Sequence, residues 1–154
     1  MTSSSLNELR LAQVEKALEP FETLSGKSTP PGGWLRSIRE SLGRSLRSQA
    51  ALLGVAFATL QQSEQAEADD RITLAQLRKL AAGLDCELVY ALVPRKPLRE
   101  MVQARAEVLA RQEVMGVAHT MGLENQRPSD TFVERQVAAR RMELLRGSWA
   151  RLWR

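Results

Sequence analysis

A mainly α fold with one short strand is predicted for this 154-residue chain by three observations. Apolar residues recur at three- and four-residue spacing along most of the sequence, the period that lines one face of a helix. Helix-start signals stand directly before several of these runs, at Ser45, at Thr73 and at Ser129 or Asp130. One stretch, Glu87 to Val93, is instead almost continuously apolar, partly β-branched and aromatic, and closed by Pro94, which favours a strand over more helix.

Leu6 to Glu19 is predicted as the first helix, from Leu11, Val14 and Leu18, and Pro20 ends it because proline lacks a donor and clashes with the preceding turn. Residues 1–24 thus form an N-terminal helical arm. Residues 25–33, with Gly26, Pro30, Pro31, Gly32 and Gly33 and no apolar periodicity, mark a linker. Residues 34–95 contain four short helices and the strand. The first, about Trp34 to Leu42, places Trp34, Leu35, Ile38 and Leu42 on one side and leaves Arg36, Arg39 and Glu40 largely outside. The second follows the cap Ser45 and runs to Leu53, where Gly54-Val55 turns the chain. The third spans Phe57 to Gln65. The fourth opens on the capping box Thr73-x-x-Gln76 and continues through Leu84.

A strand standing alone cannot satisfy its own backbone. It pairs either with another segment of this chain, for which the sequence shows no good candidate, or with its copy in a second subunit, so a homodimer is an expected partner, the alternative being an irregular segment packed on the fourth helix. Residues 96–154 then form a helical region. A long helix from Leu98 to Leu123 carries Leu98, Met101, Val102, Val108, Leu109, Met115 and Met121 near one stripe, weakened by Gly116 and Gly122. After a break at Arg127-Pro128 a last helix, Phe132 to Trp153, places Val133, Val137, Met142, Leu145, Trp149 and Trp153 among arginines.

Apolar residues make up 44% of the chain, enough for a modest core. The formal charge of +4 is carried by the tail, where residues 127–154 hold seven basic and three acidic side chains. Residues 34–95 sum to only +1. A single cysteine, Cys86, excludes an internal disulfide framework and reads as a small buried residue. No apolar run approaches the length of a membrane span, and the first residues lack a secretion signal, so a cytoplasmic protein is expected. His119, the one histidine, has no second ligand at metal spacing and no nucleophile to pair with. No metal, no cofactor and no enzymatic activity are expected.

Two short helices joined through Gly54-Val55, with small Ala50 where they cross, resemble the phage-repressor-type (Xre/Cro) helix-turn-helix over about Leu35 to Leu84. The resemblance implies that the helix from Phe57 enters the major groove. Thr59, Gln61 and Gln62 become the candidates for base edges, and Arg44, Arg47 and the capped start at Ser45 the candidates for phosphate. Gln49 and Ser63 stand where such modules are usually apolar, and Ala56 replaces the usual capping Ser or Thr. Glu64, Glu67, Asp69 and Asp70 beside the reading helix predict few phosphate contacts and weak binding of operator DNA by a monomer.

Thr120 and Glu124 are four apart and share one helix face, and Asn125 suits the left-handed conformation that ends helices. Ser or Thr, three residues, Glu, then Gly or Asn resembles the inhibitory motif of antitoxins that silence Fic-type adenylylating toxins. Across nearly its whole length the chain is similar to the "mobile mystery protein A" family, through Pro30-Pro31-Gly32-Gly33-Trp34, Ile72-Thr73-Leu74, the run Asp85 to Pro94, and His119-Thr120-Met121. The resemblance implies a Fic-domain partner whose ATP-binding arginine is met by Glu124. The Fic signature itself, His-Pro-Phe with Gly-Asn-Gly-Arg, does not occur in the chain, so inhibition acts in trans. The stripe of residues 98–123 with Phe132, Trp149 and Trp153 is the expected toxin-facing surface. The alternative is a plain Xre-family transcriptional regulator whose tail only dimerises.

Overall fold

The computed structural model describes residues 2–124 and 128–154. Among them are seven α-helices: α1 Ser3–Leu18, α2 Trp34–Ser41, α3 Leu46–Leu53, α4 Phe57–Ala68, α5 Leu74–Ala82, α6 Leu98–Leu123 and α7 Asp130–Arg146. Short 3-10 helices follow α1, at Glu19–Leu24, and α7, at Trp149–Trp153. The chain divides into two compact units, one made of residues 24–91 and the other of residues 1–23 with 92–154.

In the unit of residues 24–91, α2 to α5 surround a core of Leu35, Ala50, Leu60, Leu80 and Leu84, with Cys86 half-buried against it. The predicted caps form. Ser45 accepts from the Ser48 amide at 3.0 Å and Thr73 from the Gln76 amide at 3.1 Å, while Ala56 supplies no side-chain cap to α4. Gly54 ends α3 at φ 65°, a left-handed conformation that glycine adopts without strain, and the Val55 amide bonds back to the Ala50 carbonyl.

Two expectations for this unit, the exposure of Arg39 and the strand, are corrected. Arg39 does not lie outside: it is 5% exposed, and its guanidinium grips Glu64 of α4 through Nε–Oε1 at 2.6 Å and Nη2–Oε2 at 3.1 Å. Leu35 and Arg39 lie four apart and share the inward face of α2, which the apolar pattern could not anticipate. Gln49, 2% exposed, is accommodated because its Oε1 accepts from Arg44 Nη1 at 3.0 Å and its Nε2 donates to the Gly83 carbonyl at 3.0 Å. Glu87 to Val93 forms no strand among the described residues, since every long segment that could have paired with it is helical.

In the other unit, α6 and α7 pack along a seam of Val102, Ala106 and Ala110 against Val133, Val137 and Leu144. The stripe differs from expectation. Met101, Val108, Met115 and Met142 are exposed, while alanines take the centre because a single methyl lets two backbones approach closely. The last helix is also shorter than predicted: α7 stops at Arg146, the chain bends at Gly147, and the 3-10 turn carries Leu152 to full burial in the same core. Arg105 holds that turn by donating to the Leu152 carbonyl.

The first helix belongs to this unit rather than forming a separate arm. Ser4 Oγ donates to the Leu145 carbonyl at 3.0 Å, and Glu15 accepts from the Arg99 amide at 3.1 Å, capping the start of α6 that Pro97 leaves without a side-chain cap. Ionic contacts bridge α6 and α7: Arg111 meets Glu107 and Glu134, Arg140 meets Glu113 and Glu143, and Arg141 meets Glu107. The Arg111 guanidinium holds the Glu134 carboxyl below its ordinary value near 4.5. A group depressed in this way stabilises the fold above that ordinary value and loses the contribution as the pH falls through its folded value. Thermal melts from pH 6 downward should therefore show a smaller acid loss for Glu134→Gln than for the wild type; superimposable profiles would reject the pairing. No helix among the described residues is long and apolar enough to cross a membrane.

Candidate functional site

The residues that the sequence offers to a partner fall in two places, one in each unit. In the unit of residues 24–91, α4 exposes Thr59, Gln61 and Gln62 over its first two turns. Thr59 and Gln62, three residues apart, line an open groove of about 530 Å³ with Gln65, Arg71, Thr73 and Gln76. Gln61 is turned roughly 100° further round the helix and does not line it. Ser45 and Arg47 are exposed at the start of α3, where the Ser45 hydroxyl is occupied in the cap. Arg44 is half-buried, with Nη1 donating to Gln49 and also lying 3.5 Å from the Gly83 carbonyl. Its first task is to complete a buried polar chain.

Two of the four acids beside α4, Glu64 and Glu67, are engaged inside the unit. Glu64 is buried against Arg39. Glu67 reaches back to α2, accepting from the Trp34 amide at 2.8 Å and the Leu35 amide at 2.9 Å, and so caps a helix that its own flanking residue, Gly33, cannot cap. Gly33 lies at φ 88°, and a Cβ there would stand 2.7 Å from Glu67 Oε2. Asp69 is bonded by Arg71 and then by Gln65, which together lower its pKa. Asp69 and Asp70 are both exposed, and Asp70 enters none of the ion pairs among the described residues. These partners lie 33 and 25 residues away for Glu67 and Glu64, so no local pattern announced them.

In the unit of residues 1–23 and 92–154, Glu124 caps the C-terminus of the 26-residue helix α6, at φ −87° and ψ 9°. Its amide donates to the Thr120 carbonyl at 3.3 Å, which closes the last turn and places the two side chains of the motif on consecutive turns. Both residues are exposed, and Thr120 Oγ1 bonds back to the Gly116 carbonyl at 3.1 Å. Asn125 lies outside the described residues. Two open grooves flank this end of α6. One, of about 470 Å³, is lined by Val117, Met121, Pro128, Phe132, Glu113 and Arg140 among others, and the second, of about 400 Å³, by Met115, His119, Gly122, Leu123, Pro128 and Asp130 among others.

Apolar side chains stand exposed around the motif, Leu123 at 77% and Val117 at 62%. Phe132 belongs to this surface. Trp149 does not, because it packs on the core and its Nε1 donates to the Leu145 carbonyl at 2.9 Å. The positive charge of the tail is smaller in effect than its count, since Arg140 and Arg141 face acids of α6. Among the described residues no cluster of His, Cys, Asp and Glu could hold a metal ion. Comparison with family models, with curated proteins and with solved structures found no match to this chain.

Proposed function

We propose that this chain is an antitoxin that inhibits a Fic-type AMP transferase in trans through Glu124, and that α3 and α4 act as a helix-turn-helix that binds operator DNA and represses its own expression. The observation that carries the first part is the placement of Glu124: an exposed carboxylate at the end of a long helix, one turn after Thr120, rimmed by exposed apolar side chains. Inserted beside the arginine that holds the ATP γ-phosphate in a Fic enzyme, it forms a two-toothed, charge-assisted pair and occupies the phosphate site. Val117, Met121, Leu123 and Phe132 supply the apolar area that excludes water from that pair. The test is coexpression of a Fic-type AMP transferase with the wild type or with Glu124→Gly, followed by measurement of AMP transfer. Equal inhibition by both rejects the role of the acid and leaves the plain transcriptional regulator.

The DNA reading rests on exposed Thr59, Gln61 and Gln62, with Glu64 paired to Arg39 and Glu67 turned back to cap α2. Glutamine offers a donor and an acceptor that match the major-groove edge of adenine, each such pair discriminating by about 1–3 kcal/mol. Gln61→Ala with Gln62→Ala should therefore lose preference for the operator over random DNA by at least about tenfold, since 1.4 kcal/mol is a factor of ten. Binding titrations with both duplexes measure this. Both side chains are exposed, so the helical circular dichroism should not change, and an unaltered preference would remove these residues from the reading surface.

A further inference from the structure

Residues 87–96 join α5 to α6 without regular secondary structure, and among the described residues none of their backbone groups enters a backbone–backbone hydrogen bond. Val89, Tyr90 and Leu92 in this run are exposed, Leu92 at 85%. A β-branched and aromatic segment whose amides have no backbone partner offers an edge that a strand can add to, and burial of that edge is favoured by backbone pairing and by the apolar side chains together. We propose that this segment pairs antiparallel with its own copy in a second chain, forming a two-stranded ladder that makes the protein a homodimer.

Charge order selects the occupant and its direction. Glu87 opens the run and Arg95 with Lys96 closes it; all three are exposed and enter none of the ion pairs among the described residues. Antiparallel self-pairing sets the acidic start of one strand against the basic end of the other, whereas parallel pairing sets like against like. A dyad through Ala91 puts Glu87 opposite the partner's Arg95, Val89 opposite the partner's Val93 and Tyr90 opposite the partner's Leu92. A dyad through Tyr90 would put Asp85 against the partner's Arg95, but Asp85 has φ 56° and does not lie in an extended strand.

Proline supports the same register. Backbone donors alternate between the two edges of a strand, so if Ala91 bonds across the dyad, Glu87, Val89, Val93 and Arg95 face the partner too, and Pro94 falls where no donor is needed. The dimer stands independently of the role given to Glu124.

Sedimentation equilibrium on the full chain tests the ladder. The wild type is expected to be dimeric. Glu87→Arg and Arg95→Glu should each weaken the dimer by about tenfold or more, because two symmetric cross-strand pairs change from attraction to repulsion. An equimolar mixture of the two variants should restore it, as should the double substitution in one chain. Helical circular dichroism of each variant verifies that the fold is kept. In a Cys86→Ser background, Ala91→Cys should oxidise to a covalent dimer, because residues facing across the dyad lie within disulfide range. Leu88→Cys should not, since its two copies would stand about 20 Å apart along the ladder. A monomeric wild type, single variants as dimeric as the wild type, or cross-linking at Leu88→Cys in preference to Ala91→Cys would overturn the proposal.

Discussion

Glu64→Ala is expected to destabilise the unit of residues 24–91 by about 3–5 kcal/mol, the usual consequence of removing one partner from a buried ion pair. Arg39 and Glu64 have side chains only 6% and 8% exposed, and the hydrogen bond to Glu64 raises the pKa of the guanidinium above its ordinary value. Without the carboxylate, Arg39 keeps its charge in a largely buried site, with half-exposed Glu40 at 3.8 Å as its remaining counter-ion. Its remaining bond, Nη1 to the Arg44 carbonyl at 2.8 Å, cannot replace two charge-assisted ones. Domains of this size have only about 5–15 kcal/mol of stability in total, so the variant should melt early or fail to fold at 37 °C. Arg39→Met with Glu64→Leu should recover most of the loss, because it removes the stranded charge and fills the volume with apolar atoms. Urea unfolding of the three proteins measures both effects. A loss below about 1 kcal/mol for Glu64→Ala would mean that the pair behaves as a solvated surface contact.

The second large effect falls on inhibition and not on folding. On the proposed antitoxin role, Glu124→Gly should weaken inhibition of a Fic enzyme by roughly 30-fold to 4,000-fold, from the 2–5 kcal/mol that truncating one member of a buried interfacial charge pair typically costs. The side chain of Glu124 is exposed and forms no hydrogen bond or ion pair among the described residues, so the melting temperature should barely change. Glu124→Gln keeps shape but forfeits the charge, and Glu124→Asp keeps the charge but withdraws it by one methylene; each should fall between glycine and wild type. Titration of inhibitor against AMP transfer gives the ranking. If all four proteins titrate alike, the acid has no part in the contact. If inhibition falls only in step with thermal stability, the effect is structural.

Much of the secondary structure was legible because its causes are local. Ser45, Thr73 and Ser129 each cap the amide three residues on, and α6 has the bounds that its apolar period suggests. Gly147 shows where that logic stops: the apolar spacing continues through Trp149 and Trp153, yet the helix ends because Leu152 gains more by entering the core than by continuing the spiral. The motif at Thr120 and Glu124 was equally legible, since four-residue spacing is enough to place both on one helix face. The meaning of the acids near α4 was not. Counted along the chain they are a negative patch, whereas in space Glu64 and Glu67 are a buried counter-ion and a helix cap.

The sequence by itself determined where most helices lie, the caps at Ser45, Thr73 and Ser129, the turn at Gly54 and the carboxylate at the end of α6, because each depends on residues within a turn or two of one another. Tertiary structure alone decided that α1 joins the C-terminal helices, that alanines rather than methionines form the seam of α6, that Arg39 goes in, and that Glu15 and Glu67 cap helices far from them in sequence. The reason is physical: an unpaired amide or a buried charge takes its partner from whatever packing brings within about 3 Å, and packing is set by the shape of the whole chain.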